Sequence, residues 1–476
     1  MNPLLLDGSW EERDRCFEVL DPDDDSVVAH VAQADATDAV RAVDAAAAAM
    51  CNPLPAHRRR AILSEVACRL EAEEEESAQL IAREGIKTIR EARVEASRAS
   101  NTIRLCAEEV AQPSGETLAL ESTAAGERRF GLCVRQPMGV VVGITPFNDP
   151  LNLVAHKVGP AFAAGNAIIV KPDSKTPVSA LRLARLFTDA GIPPGWLQVL
   201  PGAGPELGPP MLAHDDVAMV SLTGGVDAGQ AIAAGAGLKK VGMELGANNA
   251  AIVAADADLE VAVAKLGSGM FWAAGQNCLH VQRIYVEERI LDHVVGGLAD
   301  YAASVTTGRK LDEATDMGPL IDQVAQNRVA DMVAEAVGSG ATVVAGGAVT
   351  ERGFEPTILT GVDPRCRVIR EEIYGPVTTV SPFRTLDEAI ARANDTPYGL
   401  AGAVFTSRID TAFEVASRLD VGGVMINEST DYRDDGMPFG GGGHSGIGRE
   451  GVRAAVEELS EPKTIVFTGV TPIGAG

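Results

Sequence analysis

Long apolar runs are missing from this sequence of 476 residues, and no segment approaches the roughly 18 consecutive apolar residues that a membrane-spanning helix requires. The first residues, Met1-Asn2-Pro3-Leu4-Leu5-Leu6-Asp7, lack the basic start of a secretory signal. The seven cysteines are odd in number, widely scattered and without a Cys-x-x-Cys pair, which argues against a disulfide scaffold or a zinc site. We therefore expect a cytoplasmic protein with free thiols, no bound metal and no membrane partner.

Positive charge is also scarce. The chain has 41 Lys and Arg against 66 Asp and Glu, a formal net charge of −25, and nine of the cations are lysines. Such an acidic chain disfavours nucleic acid as a partner, because both carry negative charge. The apolar fraction of 46% is ordinary for a globular protein, and the length indicates roughly two or three folding units.

The composition changes along the chain. From about residue 37 to 112 the sequence is rich in Ala, Arg and Glu, and Ile62, Val66 and Leu70 recur every four residues, which predicts several long amphipathic helices. From residue 138 short β-rich runs alternate with helix-length segments, which predicts a parallel, doubly wound sheet whose ligands bind at the carboxyl ends of its strands. A second α/β region is predicted from about 250 to 440. The predicted strands are 140–142, 167–170, 197–200, 219–222, 251–253, 282–287, 378–381 and 424–426, with helices near 152–165, 178–190, 205–213 and 227–236.

Cys278 follows a Gly-Gln-Asn turn between a predicted apolar helix, 265–274, and a predicted strand. A single cysteine is usually a packed core residue. The end of an element is nevertheless where reactive groups tend to lie. A catalytic role would require activation, because a free thiol has a pKa of about 8.5 and is mostly protonated at neutral pH.

Two further polar residues stand at strand ends. Glu244 closes an apolar strand, where a carboxyl group with a raised pKa could act as a general base or could form a structural salt bridge. Asn148 lies in a turn between Pro146 and Pro150, where its amide could donate to an oxyanion or could form an Asx turn.

A nucleotide site is indicated by Lys171, which follows the predicted strand 167–170. No Gly-x-Gly-x-x-Gly fingerprint follows any predicted strand, so the standard Rossmann motif is missing. The segment 222–229 could instead bring the N-terminus of a helix to a phosphate.

Taken in order, these segments resemble the aldehyde dehydrogenase superfamily over essentially the whole chain. The separation of Glu244 and Cys278, 278 − 244 = 34 residues, is typical of that family. The motifs that carry the resemblance are Pro146-Phe147-Asn148, Lys171-Pro172, Glu244-Leu245-Gly246, Gly275-Gln276-Asn277-Cys278, Glu371–Val377, Pro438–Gly441 and Ser445–Glu450.

The resemblance implies an α/β fold with a Rossmann-like, parallel-sheet NAD(P)-binding domain at 1–113 and 131–245 and an α/β catalytic domain at 246–443. It also implies a small β oligomerisation element at 114–130 and 456–476, in a homodimer or homotetramer. Cys278 would be the nucleophile, Asn148 the oxyanion donor and Glu244 the general base. NAD or NADP would contact Thr145, Pro146, Phe147, Lys171, Asp173, Ser174, Gly204, Gly224, Gly225, Leu245, Glu372 and Tyr374.

Some positions depart from the family pattern. Ser174 stands where a Glu commonly binds the adenosine ribose, so nothing obvious repels a 2′-phosphate and NADP is as plausible as NAD. Gly225 replaces a usual Ser. Gly442-Gly443 replaces a segment that normally carries a Lys, which predicts an unusually flexible run at 440–443.

The segments 152–157 and 432–438 are most similar to the lactaldehyde dehydrogenase group, which includes relatives that act on phosphonoacetaldehyde and phosphonoformaldehyde. A small polar or anionic aldehyde substrate is therefore expected. Candidate substrate-binding residues are Arg104, His156, Asn277, His280 and Arg433.

Three of these candidates also have a structural alternative. Arg104 could form an ion pair, the ring of His156 could be satisfied by the backbone, and Arg433 could order its loop. His280 faces the same side as Cys278 if that segment is extended.

Other functions stay open. Glyceraldehyde or succinic semialdehyde could be the substrate. A CoA-acylating semialdehyde dehydrogenase is disfavoured by Glu244, because a positioned base would hydrolyse the thioester. A non-catalytic binding protein on the same fold is disfavoured by the presence of Asn148, Glu244 and Cys278 together.

Overall fold

A computed structural model describes residues 1–112, 115–351 and 353–469. The strands are β1 (Leu4–Leu6), β2 (Ser9–Glu11), β3 (Cys16–Leu20), β4 (Val27–Ala32), β5 (Gly115–Leu118), β6 (Arg129–Pro137), β7 (Val140–Ile144), β8 (Ala167–Lys171), β9 (Leu197–Val199), β10 (Val217–Thr223), β11 (Lys240–Glu244), β12 (Asn249–Val253), β13 (Val281–Glu287), β14 (Thr342–Ala345), β15 (Thr357–Thr360), β16 (Val377–Phe383), β17 (Tyr398–Gly399), β18 (Ala401–Phe405), β19 (Gly423–Ile426), β20 (Gly442–Gly443), β21 (Gly446–Ile447) and β22 (Ser460–Thr468). The helices are α1 (Ala36–Met50), α2 (Ala56–Ala72), α3 (Glu74–Glu84), α4 (Ile89–Glu109), α5 (Asn152–Ala164), α6 (Val178–Asp189), α7 (Gly204–Ala213), α8 (Val226–Gly235), α9 (Leu259–Phe271), α10 (Leu291–Ser304), α11 (Gln323–Gly338), α12 (Arg367–Arg370), α13 (Leu386–Asn394), α14 (Ile409–Arg418) and α15 (Val452–Glu458).

The first sheet has the strand order β2-β1-β9-β8-β7-β10-β11-β21. Its five central strands, β9 to β11 in that order, run parallel, which confirms the predicted doubly wound arrangement. Ile144 is paired with both Lys171 and Leu222, and Thr223 is paired with Glu244. The carboxyl ends of four strands therefore share one edge, where parallel sheets bind ligands.

The second sheet has the order β14-β15-β16-β13-β12-β18-β19 and is parallel except for β14 at one edge. The turn that contains Cys278 enters β13 at its amino end, and the segment 371–376 enters β16 in the same way. The second sheet thus contributes the amino ends of its strands to the region where the first contributes carboxyl ends.

Apolar residues bury both faces of both sheets. Helices α2 to α6 pack on one face of the first sheet and α1, α7 and α8 on the other. Helices α9, α10 and α11 cover one face of the second sheet, and α13 and α14 the opposite face. The result is an α/β fold of layered sheets and helices. Among the described residues, no helix is both long and apolar enough to cross a bilayer.

A third sheet, of order β22-β6-β5, is antiparallel and separate from the other two. Strand β5 and the first residues of β6 lie in the segment predicted at 114–130, and β22 lies in the segment predicted at 456–476, although residue 114 and residues 470–476 lie outside the described residues. Strand β22 forms one edge of this sheet, and its residues 461–468 are exposed. The division into domains, with this sheet as an oligomerisation element, stays a prediction.

Two buried glutamates fix the helices that follow β7 and β8. Glu95 of α4 accepts the backbone N–H groups of Leu151 and Asn152 at the start of α5, at 2.8 and 3.1 Å. Glu84 of α3 accepts those of Val178 and Ser179 at the start of α6, both at 2.8 Å. Both side chains cap helices that have no cap of their own, so the N-terminal helices hold the loops at the ligand-binding edge in place.

Candidate active site

A cavity of about 760 Å³ lies where the carboxyl edge of the first sheet meets the amino ends of strands of the second. Cys278, Glu244 and Asn148 all line it. It is also lined by the predicted cofactor residues Thr145, Pro146, Phe147, Lys171, Asp173, Gly204, Gly224, Gly225, Leu245, Glu372 and Tyr374. The fold therefore gathers into one space three polar residues that are up to 278 − 148 = 130 positions apart in the sequence.

The turn before Cys278 has an unusual backbone. Ala273 and Ala274 adopt left-handed conformations, with φ 52° each, and Gly275 follows with φ 67°. A side chain at Gly275 would lie 2.2 Å from the carbonyl oxygen of Gly375, which explains the glycine. These residues turn the chain out of α9 so that Cys278 faces the cavity.

The side chains of the nucleophile motif anchor that turn. Gln276 donates to the carbonyl oxygen of Pro319 at 3.0 Å and accepts from the N–H of Ile321 at 2.9 Å. Asn277 donates to the carbonyl oxygen of Trp272 at 3.1 Å. Asn277 also lines the cavity, as predicted for a substrate contact, but its amide nitrogen is already used within the turn.

Burial raises the pKa of the Cys278 thiol, and the positive charge of Arg433 opposes that effect without cancelling it. The thiol is therefore neutral at physiological pH until a substrate, a cofactor or a base changes its surroundings.

Asn148 lies in the turn between β7 and α5. Its Nδ2 is 3.4 Å from Oδ2 of Asp149, and Oδ1 of Asp149 forms an ion pair with buried Lys87. Asn148 is itself buried and faces the cavity. The contact with Asp149 thus orients the amide of Asn148, which can donate to an oxygen atom in the cavity.

Glu244 ends β11 with its carboxyl group almost completely buried. Burial raises its pKa well above the usual value, and the neighbouring negative charge of Glu450 raises it further. Its Oε2 has no hydrogen-bond partner in the described part of the chain. The group is thereby shifted toward its neutral form, and Oε2 can accept from or donate to a water molecule.

Glu450, by contrast, is charged. Burial opposes its ionisation, but Lys157 at 2.5 Å and Arg433 at 3.1 Å outweigh it and lower its pKa to about 2. Thr223 also donates to Glu450, at 3.3 Å. The pKa values of two neighbouring buried carboxyl groups are therefore shifted in opposite directions, because the cations contact Glu450.

The residues at the cofactor edge fit a dinucleotide. Burial lowers the pKa of Lys171, and its ammonium has no ion pair or hydrogen bond within the described residues, so it is available to ligand oxygens. Helix α8 begins after Gly225 without a side-chain cap, which leaves its backbone N–H groups free for a phosphate. Glu372, whose pKa burial raises to about 7, accepts the N–H of Ala247 at 2.8 Å, and its other oxygen accepts no hydrogen bond from the part of the chain that the structure describes.

Two predicted contacts lie away from the cavity. Arg104 is 44% exposed on α4 and pairs with Glu71 at 2.7 Å, which is the structural ion pair that the sequence left open. Ser174 donates to the carbonyl oxygen of Gly202 at 3.0 Å. Neither side chain lines the cavity, so the geometry does not support direct binding of substrate or cofactor by these two residues.

The two histidines also lie outside the cavity lining. His156 is buried on α5, with Nε2 3.1 Å from Asp435, and burial lowers its pKa. His280 is in a turn rather than an extended segment, so the condition that would place it beside Cys278 is not met. Burial lowers the pKa of His280 to about 4.

Arg98 lines the cavity and was not predicted. It lies on α4 and donates to Asp435 at 2.7 Å. Helical periodicity could have indicated Arg98, because it lies seven residues after the buried Glu91 and three after the buried Glu95, on the same face of α4. Arg104 lies on another face.

The family model described as "Aldehyde dehydrogenase family" matches residues 10–465. Aspartate-semialdehyde dehydrogenase 1 of Pseudomonas canavaninivorans is 42% identical over 94% of this chain and 96% of its own length. 3-Sulfolactaldehyde dehydrogenase of Priestia aryabhattai is 41% identical over 98% and 97%, respectively. Lactaldehyde dehydrogenase of Methanocaldococcus jannaschii is 37% identical over 98% and 100%.

Solved structures of aldehyde dehydrogenases also superpose on this chain. Aldehyde dehydrogenase 21 of Physcomitrella patens, in complex with the reaction product succinate, superposes with a TM-score of 0.96 at 35% identity, covering 99% of both chains. Betaine aldehyde dehydrogenase of Staphylococcus aureus, in complex with NAD+, superposes with a TM-score of 0.95 at 32% identity, covering 100% of this chain and 96% of that one.

A side chain at Gly440 would collide with the carboxyl group of Glu244. Its Cβ would lie 2.6 Å from Oε1 of Glu244, and its φ of +143° already disfavours other residues. We expect Gly440→Ala to reduce the turnover number roughly ten- to a hundredfold, because a displaced base loses most of its contribution. Steady-state kinetics would measure the loss. Gly442→Ala is the matched control, since a Cβ at that position would have no atom within 4 Å and its φ is ordinary. Equal activity of both variants would contradict the geometry.

Proposed function

The chain belongs to the aldehyde dehydrogenase family, and we propose that within this family it oxidises a small polar or anionic aldehyde, of the lactaldehyde or phosphonoaldehyde kind, to the carboxylic acid. It is an oxidoreductase that acts on aldehydes with NAD or NADP. The observation that carries the substrate proposal is the guanidinium group of Arg433, which is buried in the same cavity as Cys278 and whose Nε has no partner within the described residues.

The side chain of Arg433 is 7% exposed and stacks on Phe439, with 3.8 Å from its central carbon to the ring centroid. Its Nη2 donates to Glu450, but its buried Nε has no hydrogen-bond partner among the described residues. A buried donor without a partner is costly, so a ligand oxygen there would be stabilising. Arg98, whose side chain is 29% exposed, adds a second guanidinium to the cavity. Arginine pairs are suited to carboxylate, phosphonate and sulfonate groups.

The relatives support the same substrate class. Their names refer to aspartate semialdehyde, sulfolactaldehyde and lactaldehyde, all of them short aldehydes rich in oxygen or nitrogen. The structure of aldehyde dehydrogenase 21 of Physcomitrella patens holds succinate, a dicarboxylate. The net charge of −25 would not attract an anion from a distance, so recognition depends on the local arginines.

In the proposed first step, the thiol of Cys278 loses its proton to solvent, the resulting thiolate attacks the aldehyde carbon, and the carbonyl electron pair moves to oxygen. The side-chain amide of Asn148 and the backbone N–H of Cys278 donate to that oxygen and stabilise its negative charge. The chemistry that NAD(P) supplies when bound is acceptance of the hydride that leaves the former aldehyde carbon. The acyl group then remains on Cys278 as a thioester.

In the proposed second step, Glu244 removes a proton from a water molecule, which attacks the thioester carbon. The carbon–sulfur bond breaks, and the acid leaves while Cys278 regains its proton. Glu244 must first lose its own proton, because its pKa is raised in the resting site.

The pH dependence follows from these two groups. Cys278 and Glu244 both act deprotonated and both have raised pKa values, so turnover should increase as the pH rises from neutral to alkaline.

Glu244→Gln should release about one equivalent of reduced nicotinamide per active site in a rapid burst and then turn over slowly, since acylation precedes hydrolysis. Stopped-flow absorbance of reduced nicotinamide measures both phases. Cys278→Ser is the control and should give no burst. Wild-type steady-state turnover by either variant would disprove the assignment.

A comparison of substrates tests the anion site. We expect Arg433→Met to raise KM for an anionic aldehyde roughly tenfold or more, because it removes a hydrogen bond to a charged group, while KM for neutral lactaldehyde changes little. The anionic aldehydes would be phosphonoacetaldehyde, 3-sulfolactaldehyde and succinic semialdehyde, each assayed with NAD and with NADP. Arg104→Met is the matched control, because Arg104 is exposed and outside the cavity. Equal effects of Arg433→Met on neutral and anionic substrates would contradict the proposal.

We also propose that the protein forms a homodimer or homotetramer through β22. This edge strand exposes Ile465, Val466 and Phe467 at 37%, 48% and 46%. An exposed apolar edge strand is prone to pair with another chain. The edge strand β19 of the second sheet, where Ile426 is 45% exposed, offers a complementary edge on a second copy.

Phe467→Lys should weaken this assembly, because a charge on an edge strand opposes strand pairing. Sedimentation velocity would show a smaller species for Phe467→Lys than for the wild type. Leu238→Lys, which changes an exposed apolar residue outside the sheets, should leave the assembly unchanged. A monomeric wild-type protein would contradict the proposal.

A cytoplasmic location is proposed on the basis of the cysteines. All seven are free in the structure, and three of them, Cys16, Cys51 and Cys68, are exposed. Exposed free thiols are typical of a reducing compartment.

A further inference from the structure

Three ionisable residues are buried in a row where the chain enters α4, with Lys87 just before the helix and Glu91 and Glu95 within it. Lys87, Glu91 and Glu95 follow each other at intervals of four residues and are 2%, 4% and 1% exposed. An interval of four places Glu91 and Glu95 on one face of α4, and the ion pair from Lys87 to Glu95 joins Lys87 to that face. Buried charges need partners, and the partners of this row lie largely in the two turns that carry Cys278 and Asn148.

Glu91 connects α4 to the turn of Cys278. Its Oε2 accepts the N–H of Thr88 at 2.8 Å, which is an ordinary capping-box contact at the start of a helix. Its Oε1 accepts the N–H of Ala273 at 2.7 Å, and Ala273 is 182 residues away in the sequence. One carboxyl group therefore caps a helix and binds the backbone of the turn that leads to the nucleophile.

Ala273 is the first residue of the left-handed stretch. Its φ and ψ are 52° and 34°, and those of Ala274 are 52° and 37°. A left-handed conformation costs an alanine on the order of 1–2 kcal/mol. A turn with two such residues would adopt a less strained backbone conformation unless contacts with neighbouring residues maintain it. The hydrogen bond from the N–H of Ala273 to Glu91 is such a contact.

Lys87 and Glu95 act on the other turn. Lys87 forms ion pairs with Glu95, at 2.9 Å, and with Asp149, whose second oxygen faces the amide of Asn148. Glu95 accepts the N–H groups of Leu151 and Asn152, directly after that turn. The row thus contacts the segments on which Cys278 and Asn148 stand.

We propose that Glu91 is a positioning residue for Cys278. The row of Lys87, Glu91 and Glu95 fixes the positions of the turns of Cys278 and Asn148 relative to each other. This inference rests on the proposed role of Cys278 as the nucleophile. Glu91 does not line the cavity and acts through the backbone of Ala273.

The test compares Glu91→Gln with Asp38→Asn. Asp38 is the equivalent capping-box residue of α1, is buried, and makes its hydrogen bonds to residues of the N-terminal segment rather than to either turn. We expect both variants to lower the melting temperature. Glu91→Gln alone should lower kcat at least tenfold with KM within about twofold, because a misplaced nucleophile affects the chemical step more than binding. Ala273→Gly in the Glu91→Gln background should recover about threefold or more of the loss, since glycine adopts the left-handed conformation without cost.

A measurement that does not depend on turnover separates this inference from the proposed function. The rate of iodoacetamide alkylation at Cys278, followed by peptide mass spectrometry, should differ from wild type in Glu91→Gln at least fivefold. It should be unchanged in Asp38→Asn, and exposed Cys68 serves as the reference in each sample. Activity in Cys278→Ser would refute the proposed nucleophile, whatever the alkylation rates are.

Wild-type kcat and a wild-type alkylation rate in Glu91→Gln would overturn the positioning role, and Glu91 would then act only as a cap of α4. If Glu91→Gln is recovered unfolded, Glu91→Asp replaces it, because the shorter carboxyl group keeps its charge but cannot reach both N–H groups. A folded Glu91→Asp with unchanged kcat and alkylation rate would likewise overturn the proposal.

Discussion

Burial at the junction of the two sheets shifts the pKa values of several groups that line the cavity. Burial raises the pKa of Cys278, Glu244 and Glu372 and lowers that of Lys171. All four groups are thereby shifted toward their neutral forms, as expected where solvent no longer stabilises charge. A thiol and a carboxyl group that are shifted toward their neutral forms can exchange protons with water and substrate, so the burial that accompanies folding also affects the chemistry of the cavity.

The exceptions are the groups that have cationic partners. Glu450 contacts Lys157 and Arg433 and has a pKa of about 2, although it is as deeply buried as Glu244. Asp435 is likewise kept charged, because Arg98 and His156 donate to it and outweigh the effect of burial on its pKa. Each carboxylate fixes an arginine that lines the cavity. The anionic side chains beside the cavity therefore hold the arginines that line it in position.

The parts of the fold that follow from local pattern could be predicted from the sequence. The β-rich runs before Lys171 and Glu244 became central parallel strands, and the motif around Cys278 became a turn at the edge of a sheet. Side-chain partners could not be predicted in the same way. Arg98 is bound by Asp435, 337 residues away, and nothing near either residue indicates the pairing. The sequence left both an ion pair and a substrate contact open for Arg104 for the same reason, because tertiary contacts decide which face of α4 meets the cavity.

The glycines at 440–443 show how a sequence feature can have a different physical cause from the one it suggests. Such a run predicts flexibility, yet Gly442 and Gly443 form β20 and pair with β17. A Cβ would lie 2.6 Å from Oε1 of Glu244 at Gly440, 2.5 Å from the carbonyl oxygen of Gly399 at Gly441, and 2.4 Å from that of Pro397 at Gly443. Close approach to neighbouring atoms therefore explains three of the four glycines. The segment is packed tightly behind Glu244, and that packing helps to keep water from the carboxyl group and its pKa raised.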